Sequence, residues 1–170
     1  MTARALGGLT LVTHSAAETR AAGRVVGALL EPGDLVVLGG DLGTGKTVFT
    51  KGIAEGLGVD ATVVSPTFTL AREYEGRLRL VHVDVYRLDR IQEFLDLGLE
   101  DLAGDDAVTV VEWGDAVAAE LPADHLEIRL RTPGGGDGAA DDDRELAVRP
   151  HGARWQRRAG ALRAELAGAA

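Results

Sequence analysis

The sequence predicts an α/β protein of three layers, in which a central parallel sheet is extended by antiparallel strands. Short apolar runs such as residues 35–38 and 108–111 are typical of buried parallel strands. Two further pairs of strand-like segments are joined in the manner of antiparallel hairpins. Because the chain has 170 residues, we expect residues 1–170 to form a single domain.

The most specific motif lies at residues 40–47, which read Gly-Asp-Leu-Gly-Thr-Gly-Lys-Thr. This is the G-x-x-x-x-G-K-T pattern of the phosphate-binding loop of P-loop NTPases. An apolar run precedes it, and Phe49, Ile53 and Leu57 follow at the spacing of one helix face. The alternative is a glycine-rich turn that happens to precede a lysine. Strand, loop and helix in this order favour a P-loop NTPase-like fold.

The residue types of this loop suit the phosphates of a nucleotide together with Mg²⁺. Glycines let successive backbone N–H groups turn toward phosphate oxygens, and the next helix adds the positive end of its dipole. Lys46 is expected to reach the β- and γ-phosphates, and the Thr47 hydroxyl to ligate Mg²⁺. The residues expected to bind the nucleotide are Asp41, Leu42, Gly43, Thr44, Gly45, Lys46 and Thr47.

Two predicted strands end in an acid, the Walker B pattern in which a carboxylate faces Mg²⁺ or its water shell. One strand ends at Asp84, and alternation places His82 and Tyr86 on the same face. An amphipathic edge strand explains this pattern equally well. A later strand ends at Glu112, for which a solvated strand end is the alternative. The C-terminal edge of a parallel sheet, where ligands bind, favours a role for Glu112.

A hydroxyl-rich loop at residues 65–69 reads Ser-Pro-Thr-Phe-Thr. Pro66 fixes the backbone and pushes Ser65 toward an extended conformation. Taken alone, the segment is a plain loop with a rigid corner. Its place soon after a P-loop helix is also where many NTPases keep a sensor of the γ-phosphate.

The remaining segments complete the α/β pattern. Strands are predicted at residues 9–12, 70–74, 78–83, 126–131 and 144–148. Helices are predicted from Ala16 after a capping box at Ser15, at 91–97 before a capping Gly98, at 116–121 and at 153–166. Trp113 is expected in the core. The glycine- and aspartate-rich segment 133–143 is expected to be a flexible, solvated loop.

Composition excludes several classes of function. The chain has 27 acidic and 18 basic residues, a net charge of −9, which argues against a broad direct grip on nucleic acid. It has no Cys, hence no disulfides and no thiolate metal site. We find no signal-peptide pattern and no apolar run of membrane-spanning length, so the sequence predicts a cytoplasmic protein without a membrane partner.

Four motifs in fixed order closely resemble the bacterial TsaE family, also called YjeE. They are the loop at 40–47, Ser-Pro-Thr-Phe at 65–68, His-Val-Asp-Val-Tyr-Arg at 82–87 and Glu-Trp at 112–113. The resemblance runs from about Ser15 to Arg149. Two departures appear. Thr44 replaces a commonly small Ala, which is expected to be harmless, and Gly114 stands where Pro often follows Trp, which is expected to loosen that turn.

This resemblance implies a Mg²⁺-dependent ATPase required for the threonylcarbamoyl modification of tRNA at the adenosine next to the anticodon. The family acts with TsaB and TsaD, so tRNA is expected to be engaged only through that complex. The implied catalytic residues are Lys46, Asp84 and Glu112, and the implied metal residues are Thr47 and Glu112. The implied switch-like loops contain Ser65, Pro66, Thr67 and Phe68, then His82, Tyr86 and Arg87.

Two other functions remain open from the residues. A P-loop small-molecule kinase would need an acceptor pocket and usually an arginine-rich lid. The sequence shows no such lid. A nucleotide-gated binding module without turnover is disfavoured by the two candidate acids. No arginine is plainly placed to neutralise a γ-phosphate, Arg87 being the nearest, so we expect slow ATP hydrolysis without partners.

Overall fold

The computed structural model describes residues 8–134 and 142–169. Its strands are β1 (Leu9–Thr13), β2 (Leu35–Gly39), β3 (Ala71–Tyr74), β4 (Leu80–Asp84), β5 (Val108–Glu112), β6 (His125–Arg131) and β7 (Arg144–His151). Its helices are α1 (Ala16–Leu29), α2 (Lys46–Gly56), α3 (Leu88–Leu97), α4 (Leu99–Ala103) and α5 (Gly152–Ala169), with a 3₁₀ helix at Gly114–Glu120. Most of the loop expected at 133–143 lies outside the described residues.

Over the described residues the strands form one mixed sheet of seven, in the order β1-β7-β6-β2-β5-β4-β3. The four central strands, β6, β2, β5 and β4, run parallel. β3 adds to one edge and β7 with β1 to the other, all antiparallel. The predicted α/β architecture, a parallel centre extended by antiparallel strands, is therefore confirmed, and so are both predicted hairpins.

Helices cover both faces of this sheet and divide the core in two. On one face α1, α2 and α5 pack on the sheet, with Phe49, Ile53 and Leu57 buried together as their spacing predicted. On the other face Phe94 of α3 and Val117 of the 3₁₀ helix are buried against the strands. Burying a side chain of this size contributes roughly 1.5–3 kcal/mol. In the described ranges, no helix combines the length and apolar character needed to cross a membrane.

Local signals set the helix boundaries. Ser15 caps α1, because its hydroxyl accepts the Glu18 amide at 3.1 Å. The Glu18 carboxylate accepts the amide of His14 at 2.7 Å, one residue earlier than in a standard capping box. α3 begins at Leu88, three residues before the predicted start, and ends as predicted at Leu97 with Gly98 as its C-cap. The short helix predicted at 116–121 is a 3₁₀ helix.

α1 and α2 touch through their backbones. A Cβ atom at Gly27 would lie 2.2 Å from the carbonyl oxygen of Ile53, and one at Gly52 would lie 2.1 Å from that of Arg20. No side chain fits at either place. Each helix contributes two such glycines, four residues apart: Gly23 and Gly27 on α1, Gly52 and Gly56 on α2. This contact fixes α2, and with it the phosphate loop, against α1.

We predict that Gly27→Ala destabilises the fold by about 3 kcal/mol, because an added methyl group must push two backbones apart. The matched control is Gly160→Ala, whose Cβ would meet nothing within 4 Å inside α5. That change should stabilise the protein by about 0.5–1 kcal/mol through helix propensity. Denaturant midpoints measure both. Equal midpoints for the two variants would contradict the backbone contact.

Candidate functional site

The loop between β2 and α2 has torsions that favour glycine. Gly40 has φ 127° and Gly45 has φ 98°, and a Cβ at Gly40 would lie 2.1 Å from the Leu130 carbonyl oxygen. The Thr44 hydroxyl donates to the carbonyl of Asp41 at 2.8 Å. The Thr44 side chain therefore fits within the loop and closes its turn.

Lys46 is the first residue of α2 and is only 5% exposed. Its Nζ donates to the carbonyls of Gly40 at 2.8 Å and Asp41 at 2.6 Å. The same atom lies 3.8 Å from the centroid of the Trp113 ring, a cation–π contact. Burial lowers the pKa of Lys46, and nearby carboxylates, first that of Glu112, oppose the shift. The ammonium is therefore held in place beside the loop.

Glu112 ends β5 and is only 2% exposed, so the alternative of a solvated strand end is wrong. Its Oε1 accepts the Thr50 hydroxyl at 3.0 Å and lies 2.8 Å from His82 Nε2. Its Oε2 accepts the Thr47 hydroxyl at 3.1 Å. Burial alone would raise the pKa of Glu112, but the hydrogen bonds and charge of His82, with those two hydroxyls, outweigh it and lower the pKa.

Asp84 ends β4 directly opposite Glu112 in the parallel register. It is half-buried, and its Oδ1 accepts the amide of Tyr86 at 3.0 Å. Burial raises the pKa of Asp84; the Tyr86 amide opposes this shift, and the nearby charge of Glu112 adds to it. The two acids predicted from the sequence therefore lie side by side with opposite pKa shifts.

Ser65 joins the same cluster, since its Oγ lies 2.9 Å from the Thr47 hydroxyl. A cavity of about 350 Å³ opens at this edge of the sheet. Its lining residues are Leu42, Gly43, Gly45, Lys46, Thr47, Val48, Ser65, Asp84, Tyr86, Glu112 and Trp113. A second cavity of about 230 Å³ shares part of this wall. Its lining residues are Ser65, Pro66, Thr67, Asp84, Tyr86, Arg87 and Arg90.

Two expected placements are corrected. Trp113, expected in the core, is half-buried: it packs against the core on the α3 side and also lines the larger cavity, with its ring centroid 4.8 Å from that of Tyr86. The residue turns out of the strand at φ 60°, which swings its ring over Lys46. His82, assigned to a switch-like loop, lies inside β4 with no exposed surface. It supports the site from the core side because it contacts Glu112.

Gly114, which follows Trp113, is buried, and a Cβ there would lie 2.3 Å from Val37 Cγ1. The glycine therefore permits close contact between this turn and β2, while a looser turn than one with Pro stays a prediction.

The residues predicted for the switch-like loops do not all line the two cavities. Phe68 is 93% exposed and lines neither cavity. Arg87 is exposed and lines only the smaller cavity, together with Arg90, which the sequence reasoning missed. Thr50 was missed as well. Its spacing of three from Thr47 is the signal, because such residues share a helix face.

The donor set near Thr47 fits Mg²⁺. Thr47 and Glu112 present hydroxyl and carboxylate oxygens, the hard ligands that Mg²⁺ accepts. In the described part of the chain there is no cluster of three or more His, Cys, Asp or Glu that could hold a metal. A few protein oxygens suit Mg²⁺, which usually keeps waters and substrate phosphates as its other ligands.

A phosphate loop after a central parallel strand, with two acids on neighbouring strand ends, defines a P-loop nucleotide-binding protein. A family model described as "Threonylcarbamoyl adenosine biosynthesis protein TsaE" matches residues 13–137. The chain therefore belongs to the TsaE family.

Relatives and a solved structure agree with this assignment. A protein of Treponema pallidum named tRNA threonylcarbamoyladenosine biosynthesis protein TsaE is 47% identical over 81% of this chain and 97% of its own length. The protein of the same name from Bacillus subtilis is 43% identical over 82% of this chain and 84% of its own. The crystal structure of Bacillus subtilis YdiB superposes with a TM-score of 0.72 at 36% identity, covering 95% of both chains.

We predict that ADP binding changes the fluorescence of Trp113, because its ring lies against the lysine expected to move toward phosphate. The chain has two tryptophans, and the other, Trp155, is buried in α5. Trp113→Phe is therefore the matched control, and its spectrum should not respond to ADP. A response retained in Trp113→Phe would contradict the placement.

Proposed function

We propose that this chain is a Mg²⁺-dependent ATPase that hydrolyses ATP to ADP and phosphate. The observation that supports it most is the convergence of Lys46, Thr47 and Glu112 beside a glycine-rich loop. We further propose that it acts in the cytoplasm in the threonylcarbamoyl modification of tRNA at the adenosine next to the anticodon. The names of its relatives support that role.

Each residue has a distinct part in this proposal. Lys46 and the loop amides bind the β- and γ-phosphates, and Thr47 with Glu112 would hold Mg²⁺. The metal ion would neutralise charge that develops on the phosphates. Phosphoryl transfer needs little covalent help, so positioning by these groups supplies most of the catalysis.

The opposite pKa shifts of the two acids support a division of labour. Hydrogen bonds keep Glu112 ionised, which suits a group facing a cation. Asp84 borders both cavities and has a raised pKa, which suits a group that orients or deprotonates a water molecule. We therefore assign Glu112 to the metal and Asp84 to the attacking water.

We propose that TsaB and TsaD complete this site and that tRNA is engaged only through them. Arg87 and Arg90 border the smaller cavity and not the one that contains Lys46. Tyr86, which borders the same cavity, and Phe68, which follows Thr67 in the chain, are both exposed. The net charge of −9 disfavours unaided capture of tRNA. A docked protein that orders the segments containing Phe68 and Arg87 is the simplest way both to complete the ATPase site and to engage tRNA.

We predict that Glu112→Gln lowers ATP hydrolysis by about 10²-fold and removes most of the nucleotide affinity that Mg²⁺ adds, while Mg²⁺-free nucleotide affinity changes little. The change keeps the volume of the side chain and removes its charge. Steady-state phosphate release gives the rate, and Trp113 fluorescence gives the affinity. Lys46→Ala is the reference for lost phosphate binding and should fail in both assays. Wild-type hydrolysis by Glu112→Gln would refute the assigned role.

We predict that TsaB–TsaD of the same host accelerates hydrolysis by about tenfold or more, since an arginine supplied in trans can contribute roughly 10³–10⁵. The assay compares the protein alone, with TsaB–TsaD and with tRNA alone. Equal yields of ADP and inorganic phosphate distinguish hydrolysis from transfer to an acceptor. Stimulation by tRNA alone, with none from TsaB–TsaD, would favour direct nucleic-acid binding and overturn the partner proposal.

A further inference from the structure

His82 is a buried polar residue that phosphate binding does not require. Its side chain has no exposed surface, and it lines neither of the two cavities described above. Nε2 lies 2.8 Å from Glu112 Oε1. Among the described residues, the buried Nδ1 has no hydrogen-bond partner. Burying a histidine with one unpaired ring nitrogen costs free energy. The hydrogen bond made by the other nitrogen is therefore the place to look for the reason that a histidine occupies this core position.

The hydrogen bond has a fixed direction. An ionised carboxylate only accepts hydrogen bonds, so Nε2 must carry the hydrogen and donate it to Glu112. Thr50 donates to the same oxygen, Oε1, at 3.0 Å. Because Oε1 faces two donors on the core side, the carboxylate plane is set and Oε2 is turned toward Thr47 at 3.1 Å.

We propose that His82 is a positioning residue that fixes the rotation of the Glu112 carboxylate, so that Oε2 faces the Mg²⁺–nucleotide. This inference rests on the function proposed above, because that function assigns Glu112 to the metal. Groups that hold a metal-facing carboxylate by a hydrogen bond tune metal affinity without touching the metal. The register of β4 and β5 pairs His82 with Val110, two residues before Glu112. Because side chains alternate along a strand, His82 and Glu112 lie on the same face of the sheet as the buried Leu80 and Val110.

Two amide substitutions distinguish positioning from simple space filling. Glutamine is one bond longer than asparagine, so His82→Gln places an N–H donor near the position of Nε2, facing Glu112. His82→Asn places its amide near the position of Nδ1, where the described residues offer no partner. Matched controls are His151→Gln and His151→Asn, because His151 Nε2 makes a 2.9 Å contact with the Glu127 carboxylate away from the site.

The experiment measures ADP affinity with and without Mg²⁺, together with kcat and KM for ATP. We expect His82→Asn to lose most of the gain in ADP affinity that Mg²⁺ gives and to lower kcat by about 10–100-fold. ADP affinity without Mg²⁺ should not change. His82→Gln should restore both properties, and both His151 variants should match wild type. Equal behaviour of His82→Asn and His82→Gln, or a loss of Mg²⁺-free affinity in both, would show a purely structural role and overturn the proposal.

A measurement on the wild-type protein needs no variant to fold. Nitrogen-15 NMR of the imidazole rings should show a hydrogen on Nε2 of His82 that exchanges slowly with solvent, because it is buried and bonded to Glu112. An unprotonated Nε2 would overturn the proposal. If the proposed function is wrong, the wild-type protein will not hydrolyse ATP even with TsaB–TsaD. The NMR signal and the Mg²⁺ dependence of ADP affinity would still report on His82.

Discussion

The buried carboxylate of Glu112 is the constraint on which the arrangement of the site depends. An ionised carboxylate removed from water costs several kcal/mol unless donors surround it. Here the donors come from two different elements, the imidazole of His82 on β4 and the hydroxyls of Thr47 and Thr50 on α2. The strand order must therefore place β4 beside β5, and α2 must begin at the loop and cross above the strand ends. The strand order and the position of α2 thus both bring hydrogen-bond donors to this one buried carboxylate.

The hydroxyls of Thr47 and Thr50 reach Glu112 only if α2 keeps its position over the sheet. The glycine contact with α1 fixes that position. Because backbone carbonyl oxygens of each helix lie against glycines of the other, α2 cannot move closer to α1. The far ends of both helices are fixed as well. The Arg77 guanidinium donates to the carbonyls of Gly27, Ala28 and Leu30, which closes the C-terminus of α1. The Arg77 amide donates to the Leu57 carbonyl at the end of α2.

The sequence was sufficient for the architecture because its signals are local. A motif with fixed spacing, strand-like runs and caps predict elements, and the acids at 84 and 112 follow from the edge of a parallel sheet. What it could not give were contacts set by the third dimension. Trp113 was expected in the core because large aromatics usually lie there, yet one residue at positive φ redirects its ring. The partner of His82 depends on which strands pair, and the glycine contact depends on which helices meet.

Trp113 shows how the fold uses strain at this edge. Among the described residues it is the only non-glycine residue with a positive φ. That conformation costs an ordinary side chain about 1–2 kcal/mol. The chain must turn here because Gly114 lies against Val37, and any Cβ at 114 would collide with it. The contacts of the redirected ring with Lys46 and Tyr86 offset the strain. A change in the position of Lys46 therefore alters the balance at Trp113, which links the phosphate loop to the segment after β4 through Tyr86.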